Sequence, residues 1–124
     1  MRLWLFLAAL MGAAAVVLGA FAAHGLRGAL APVALETFET GARYHLAHAL
    51  AMGLAALAMR GAAQPRARLA AILFLAGILL FCGSLYLLAT TGIRAFGFIT
   101  PSGGLAFIMG WIALALAALK LEDP

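Results

Sequence analysis

The sequence predicts an all-α protein, an integral membrane antiparallel four-helix bundle, on three observations. Of its 124 residues 67% are hydrophobic and only 10% charged, too few charges to build the solvated shell a small soluble domain needs. The apolar residues form four long runs, each near the roughly 20 residues that span a hydrocarbon core. The Lys and Arg residues fall at the run ends and in the connections. A single domain over 1–124 is expected, with spans at about 3–23, 40–59, 69–90 and 102–120.

The first span carries Arg2 as its positive flank. Its start imitates a secretory signal, but three further spans follow and the apolar run outlasts a signal core, so a retained helix is expected. Ala8, Gly12, Ala15 and Gly19 recur at helical spacing. That seam of small side chains would let a neighbouring backbone approach.

His24-Gly25-Leu26-Arg27-Gly28 then breaks the helix, and Pro32 restarts it. Proline suits the first helical turn, and the acidic Glu36 and Glu39 suit a helix amino end. A helix from Pro32 to Met59 would be about 42 Å long at 1.5 Å per residue, more than the hydrocarbon core requires. Its first turns are therefore expected in the headgroup layer.

Arg60 to Arg68 reads as a short polar loop, with Gln64-Pro65 as punctuation. The third span holds Cys82, Ser84, Tyr86 and Thr90, with Thr91 at its end. The lone cysteine cannot form an internal disulfide and reads as a small buried hydrophobe. The hydroxyl residues are expected to bond between helices. Thr91 to Ser102 is the next connection, carrying Arg94; Pro101 opens the fourth span, with Thr100 as its cap. Trp4 and Trp111 fit interface or packing positions.

Orientation follows from the cations. Arg2, Arg60, Arg66, Arg68 and Lys120 share one side; Arg27, Arg43 and Arg94 lie on the other. The positive-inside rule places both termini in the cytoplasm. The net charge of +4 then reflects topology. No basic patch with interleaved aromatics points to nucleic acid.

The polar residues concentrate between Glu36 and His48. Gly41, His45, His48 and Met52 share one helical face, while Glu36, Thr40 and Arg43 lie on an adjacent one. Charge at the membrane edge is costly unless paired, so Arg43 is expected to close on Glu39 or Glu36, with the histidines turned inward. His24 would emerge on the same side. The candidate cluster is His24, Glu36, Glu39, Arg43, Tyr44, His45 and His48; Arg94, Thr100, Pro101 and Gly104 are candidate loop and helix-start positions.

Three functions fit such a cluster. It can lock the second helix to its neighbours in a non-enzymatic structural or interaction protein or small complex subunit. It can line a periplasm-facing pocket of a transport or ligand-binding protein. It can serve a metal- or redox-linked accessory protein, although two histidines three apart fix no third ligand. Neither a nucleophile–base pair nor a phosphate loop can be read from the chain. No catalytic residue, cofactor or metal is expected. The expected partners are the lipid bilayer and either further copies of the chain or a larger membrane complex.

Four motifs together carry a resemblance: GAFAAHGL at 19–26, F-x-T-G-x-x-Y-H-x-x-H-A-L at 38–50, LFCGSLYLLATTG at 80–92 and ITPSGGLAFIMGW at 99–111. Over nearly its whole length the chain resembles the DUF423 family of small four-helix membrane proteins, relatives of transmembrane protein 256. The resemblance implies the same multi-pass topology in a bacterial inner (plasma) membrane and marks His24, Gly41, Tyr44, His48, Ser84, Tyr86, Thr100, Pro101 and Gly104 as motif positions. It implies that Gln stands as readily as His at position 45. It supplies no reaction. Small multidrug-resistance exporters match in size, but their chemistry needs an acid in the first span, and residues 3–23 contain none.

Overall fold

A computed structural model describes residues 1–122; the last two residues of the expected domain lie outside it. The described residues are helical almost throughout: α1 (Arg2–His24), α2 (Pro32–Leu57), α3 (Gln64–Gly77), α4 (Gly83–Thr91) and α5 (Thr100–Ala118). A π-helical turn, Ile78–Cys82, joins α3 to α4 in one rod, and short 3₁₀ turns (Gly61–Ala63, Arg94–Phe98) precede α3 and α5. Three stretches are long and apolar enough to cross a membrane: Arg2–His24, Gly61–Thr91 and Arg94–Ala118. The helix α2 is not among them, because Arg43, His45 and His48 dilute its apolar run.

Glycine supplies the backbone reversals that side chains resist. Gly28, Gly61 and Gly92 have φ of 84°, 50° and 70°, and Gly92 caps α4 in the left-handed conformation typical of helix ends. The expected polar loop 60–68 is shorter than its composition suggested. Pro65 lies in the first turn of α3, where its missing N–H costs nothing, so Arg66 and Arg68 are already helical. Thr100 does not cap α5, whose preceding residue Ile99 makes no side-chain cap. The 3₁₀ turn leads straight into the helix, and Thr100 is free to bond elsewhere.

Alanine dominates the core, where it lets helices approach closely. One buried cluster joins Ala51, Met52 and Ala55 of α2 to Ala67, Ala70, Ala71 and Phe74 of α3 and to Phe107, Ala113 and Ala117 of α5. A smaller one gathers Ala22, Leu26, Phe38 and Ala89, with Tyr86 against it.

The π-bearing rod and α5 interlock by exchanging glycine and phenylalanine. A Cβ on Gly110 would meet the Phe74 ring at 2.8 Å, one on Gly77 would strike the Phe107 ring, and one on Gly103 would stand 2.7 Å from the Cα of Phe81. The pairs 74–110, 77–107 and 81–103 run in opposite sequence order along the two rods. The α1 seam behaves differently from its expectation. Ala8, Ala15 and Ala22 are buried, but a Cβ on Gly12 or Gly19 would meet nothing within 4 Å. These glycines border clefts of about 350 and 320 Å³ between α1 and α2; no backbone approaches them closely.

Candidate functional site

The buried face of α2 is the one its periodicity predicts, since Gly41, His45, His48 and Met52 are all buried. Gly41 makes room for Tyr86, whose ring would lie 2.9 Å from a Cβ at that position. The Tyr86 hydroxyl then stands 2.9 Å from Nδ1 of His45. One turn on, His48 is held from two sides. Its Nδ1 lies 2.7 Å from the carbonyl oxygen of Tyr44, and the indole Nε1–H of Trp111 donates to its Nε2 at 3.1 Å. Phe107 stacks on the imidazole, with centroids 3.5 Å apart and planes 12° from parallel.

These contacts fix the His48 tautomer. An indole nitrogen only donates and a carbonyl only accepts. Nε2 must therefore be unprotonated, and Nδ1–H donates to Tyr44. The ring is neutral, and both nitrogens are engaged. His45 differs: Nε2 is buried without a hydrogen-bond partner among the described residues, a state that costs about 1–3 kcal/mol for a polar group.

A third polar link lies beside the π turn. Ser84 donates to the Phe81 carbonyl at 2.9 Å, so the hydrogen in its 2.6 Å bond with Thr100 must come from the Thr100 hydroxyl. The π turn carries an i→i−5 bond from the Gly83 N–H to Ile78, and its extra residue resets the phase of the rod. That phase holds Phe81 against Gly103 and Ser84 against Thr100.

The expected convergence of the polar cluster does not occur. His45 and His48 face different partners. His24 ends α1 exposed, and Glu36 and Arg43 are exposed while Glu39 is half-buried. Arg43 donates to Thr40 Oγ1 at 3.2 Å, one turn back, and closes on neither carboxylate. Helical phase separates these side chains from the histidines: Glu39 and Arg43 both line the 320 Å³ cleft toward α1, whose residues there are Ala15, Val16, Gly19 and Ala20. Nothing there can complete a polar network. Arg94 is exposed at the start of its 3₁₀ turn. Thr90 and Thr91, expected to bond between helices, instead bond the carbonyls of Tyr86 and Leu87 in their own helix. Among the described residues no three His, Cys, Asp or Glu side chains group to hold a metal ion, and His48 has no lone pair to offer one.

A groove of about 620 Å³ runs beside this lock, lined by Tyr44, His48, Phe81, Phe107 and Trp111, with Pro101 and Gly104 on its α5 wall. Tyr44 packs on Phe81 with centroids 4.8 Å apart. Of the candidate residues named from the sequence, Tyr44, His48, Pro101 and Gly104 line this groove. Sequence reasoning did not pair His48 with Trp111 or His45 with Tyr86. The available signal was that a Trp N–H and a Tyr O–H inside apolar rods must find partners.

Comparison with known proteins places the chain among bacterial membrane proteins. Residues 18–104 match the family described as "Protein of unknown function (DUF423)". The chain is 44% identical to the UPF0382 membrane protein YwdK of Bacillus subtilis, over 97% of this chain and 98% of that one. It is 46% identical to a UPF0382 membrane protein of Haemophilus influenzae, over 97% and 96%. It is 36% identical to the UPF0382 inner membrane protein YgdD of Escherichia coli, over 98% and 92%. No solved structure matches the chain.

Proposed function

Because this chain belongs to the DUF423 family, we propose that it is a non-enzymatic structural or interaction protein of the bacterial inner membrane, a homo-oligomer or a small subunit of a larger complex. It forms one domain that crosses the bilayer four times as an antiparallel bundle, with both termini in the cytoplasm. The supporting observation is the use of its interior polar side chains. Trp111 to His48 links α5 to α2, His45 to Tyr86 links α2 to α4, and Ser84 to Thr100 links α4 to α5. Groups that could carry chemistry are spent on holding helices together, at about 0.6–2 kcal/mol for each such bond within a membrane.

The topology is tested by single cysteines in a Cys82→Ala background. A cysteine at Ala62 should react with an impermeant maleimide only after the cytoplasmic face is opened, and one at Ala95 should react on intact cells. The reverse pattern would overturn the orientation. Mild extraction and cross-linking should yield a fixed stoichiometric assembly; a monomer alone would overturn the subunit reading. The alternative, a periplasm-facing pocket for transport or binding, has one supporting observation: the α1–α2 cleft carries both Glu39 and Arg43.

A further inference from the structure

We propose that the 620 Å³ groove binds a membrane-dissolved ligand with a planar, carbonyl-bearing ring and a hydrocarbon tail, of the quinone type. The Tyr44 hydroxyl donates to a ring carbonyl. This goes beyond the structural reading and does not depend on it.

Size and shape come first. The groove falls within the 300–1,000 Å³ range of small-molecule sites, and from Pro101 to Trp111 it follows α5 for about 15 Å. Tyr44 and Trp111 are each 46% exposed, so it opens sideways from α2 and α5 and is entered from the bilayer. Gly104 leaves its wall open: a Cβ there would touch the Phe81 ring at 3.7 Å, and the space beyond is the groove itself.

The chemistry of the lining selects the occupant. Lipid tails are as apolar as leucine, so an acyl chain leaving the bilayer for this groove gains no hydrophobic free energy. Only shape, ring stacking and polar contacts can retain a ligand here. The groove offers five rings, from Tyr44, His48, Phe81, Phe107 and Trp111, and aromatic pairing contributes about 0.5–1.5 kcal/mol beyond area burial. It also offers one donor. The Trp111 N–H is committed to His48, and the His48 Nδ1–H to the Tyr44 carbonyl. The Tyr44 hydroxyl has no partner among the described residues. A flat ring with a carbonyl acceptor answers both features, and the tail remains in the lipid.

The test uses a Trp4→Phe variant, which leaves Trp111 as the sole tryptophan, in nanodiscs titrated with a short-tailed 1,4-benzoquinone. Quenching of Trp111 fluorescence should saturate. Tyr44→Phe keeps the ring but removes the donor, and should raise half-saturation roughly two- to tenfold, the worth of one hydrogen bond. Gly104→Leu should abolish the saturable phase with helicity and thermal unfolding unchanged. Quenching that rises linearly with quinone content, or a half-saturation unmoved by Tyr44→Phe, would overturn the proposal. Competition by a phospholipid with brominated acyl chains that displaces the quinone would also overturn it, showing that a hydrocarbon tail alone fills the groove. Tyr44→Phe changes no packing and decides the question even if Gly104→Leu fails to fold.

Discussion

The Trp111 indole N–H points at Nε2 of His48 across 3.1 Å, from 63 residues away in the chain. One bond between a pure donor and a two-state ring determines where the imidazole proton resides. It also fixes the rotation of α5 against α2, because only one rotation brings the indole edge to the ring.

The first prediction concerns that tautomer. Imidazole ¹⁵N spectra of the protein in lipid should show His48 neutral with the proton on Nδ1. Trp111→Phe should lower unfolding stability by about 1–3 kcal/mol, since it leaves a buried acceptor unpaired. An Nε2–H signal in the unaltered protein would refute the assignment.

His45 and Tyr86 should behave as a coupled pair. Each single change, His45→Leu or Tyr86→Phe, removes one partner and should cost about 1–3 kcal/mol. The double variant should cost less than their sum, because no orphaned group remains between them. His45→Leu also removes the unpartnered Nε2, which offsets part of its own cost. Additive losses in a detergent unfolding cycle would refute the coupling.

Gly103 and Gly104 are neighbours with opposite expectations. A Cβ at Gly103 would meet the Phe81 backbone, with 2.7 Å to its Cα, while at Gly104 it meets only ring atoms at 3.7 Å and beyond. Backbone cannot swing aside as a side chain can. Gly103→Ala should therefore destabilise by about 1–3 kcal/mol. Gly104→Ala should be neutral or stabilising by up to about 1 kcal/mol, from helix propensity. Thermal unfolding of the two variants side by side separates them.

Glu39 and Arg43, which sequence reasoning paired, should prove independent. Glu39→Gln and Arg43→Gln should each shift stability by no more than about 0.5 kcal/mol, as for surface changes away from a network. Their effects should add. A coupling above that size would restore the ion pair that the Arg43–Thr40 bond replaces.

Much of this protein is local and was legible from its residues alone. Helix placement follows from the apolar runs, so α1 occupies Arg2–His24 and α5 Thr100–Ala118, whereas α2 starts at Pro32, ahead of the apolar part of its run. The burial of Gly41, His45, His48 and Met52 follows from helical period, because the polar exceptions on α2 mark its inner face. What the sequence could not decide is how the rods rotate against one another. In a soluble bundle a polar outer face reveals the inner one. Here the lipid-facing surfaces are as apolar as the packed ones, so Leu105 and Ile108, exposed, look no different from Phe107, buried. The π turn at Ile78–Cys82 shifts the phase of its rod by a residue with no Pro or charge to announce it. Tertiary packing alone sent one histidine to Tyr86 and the other to Trp111, and left the carboxylates outside.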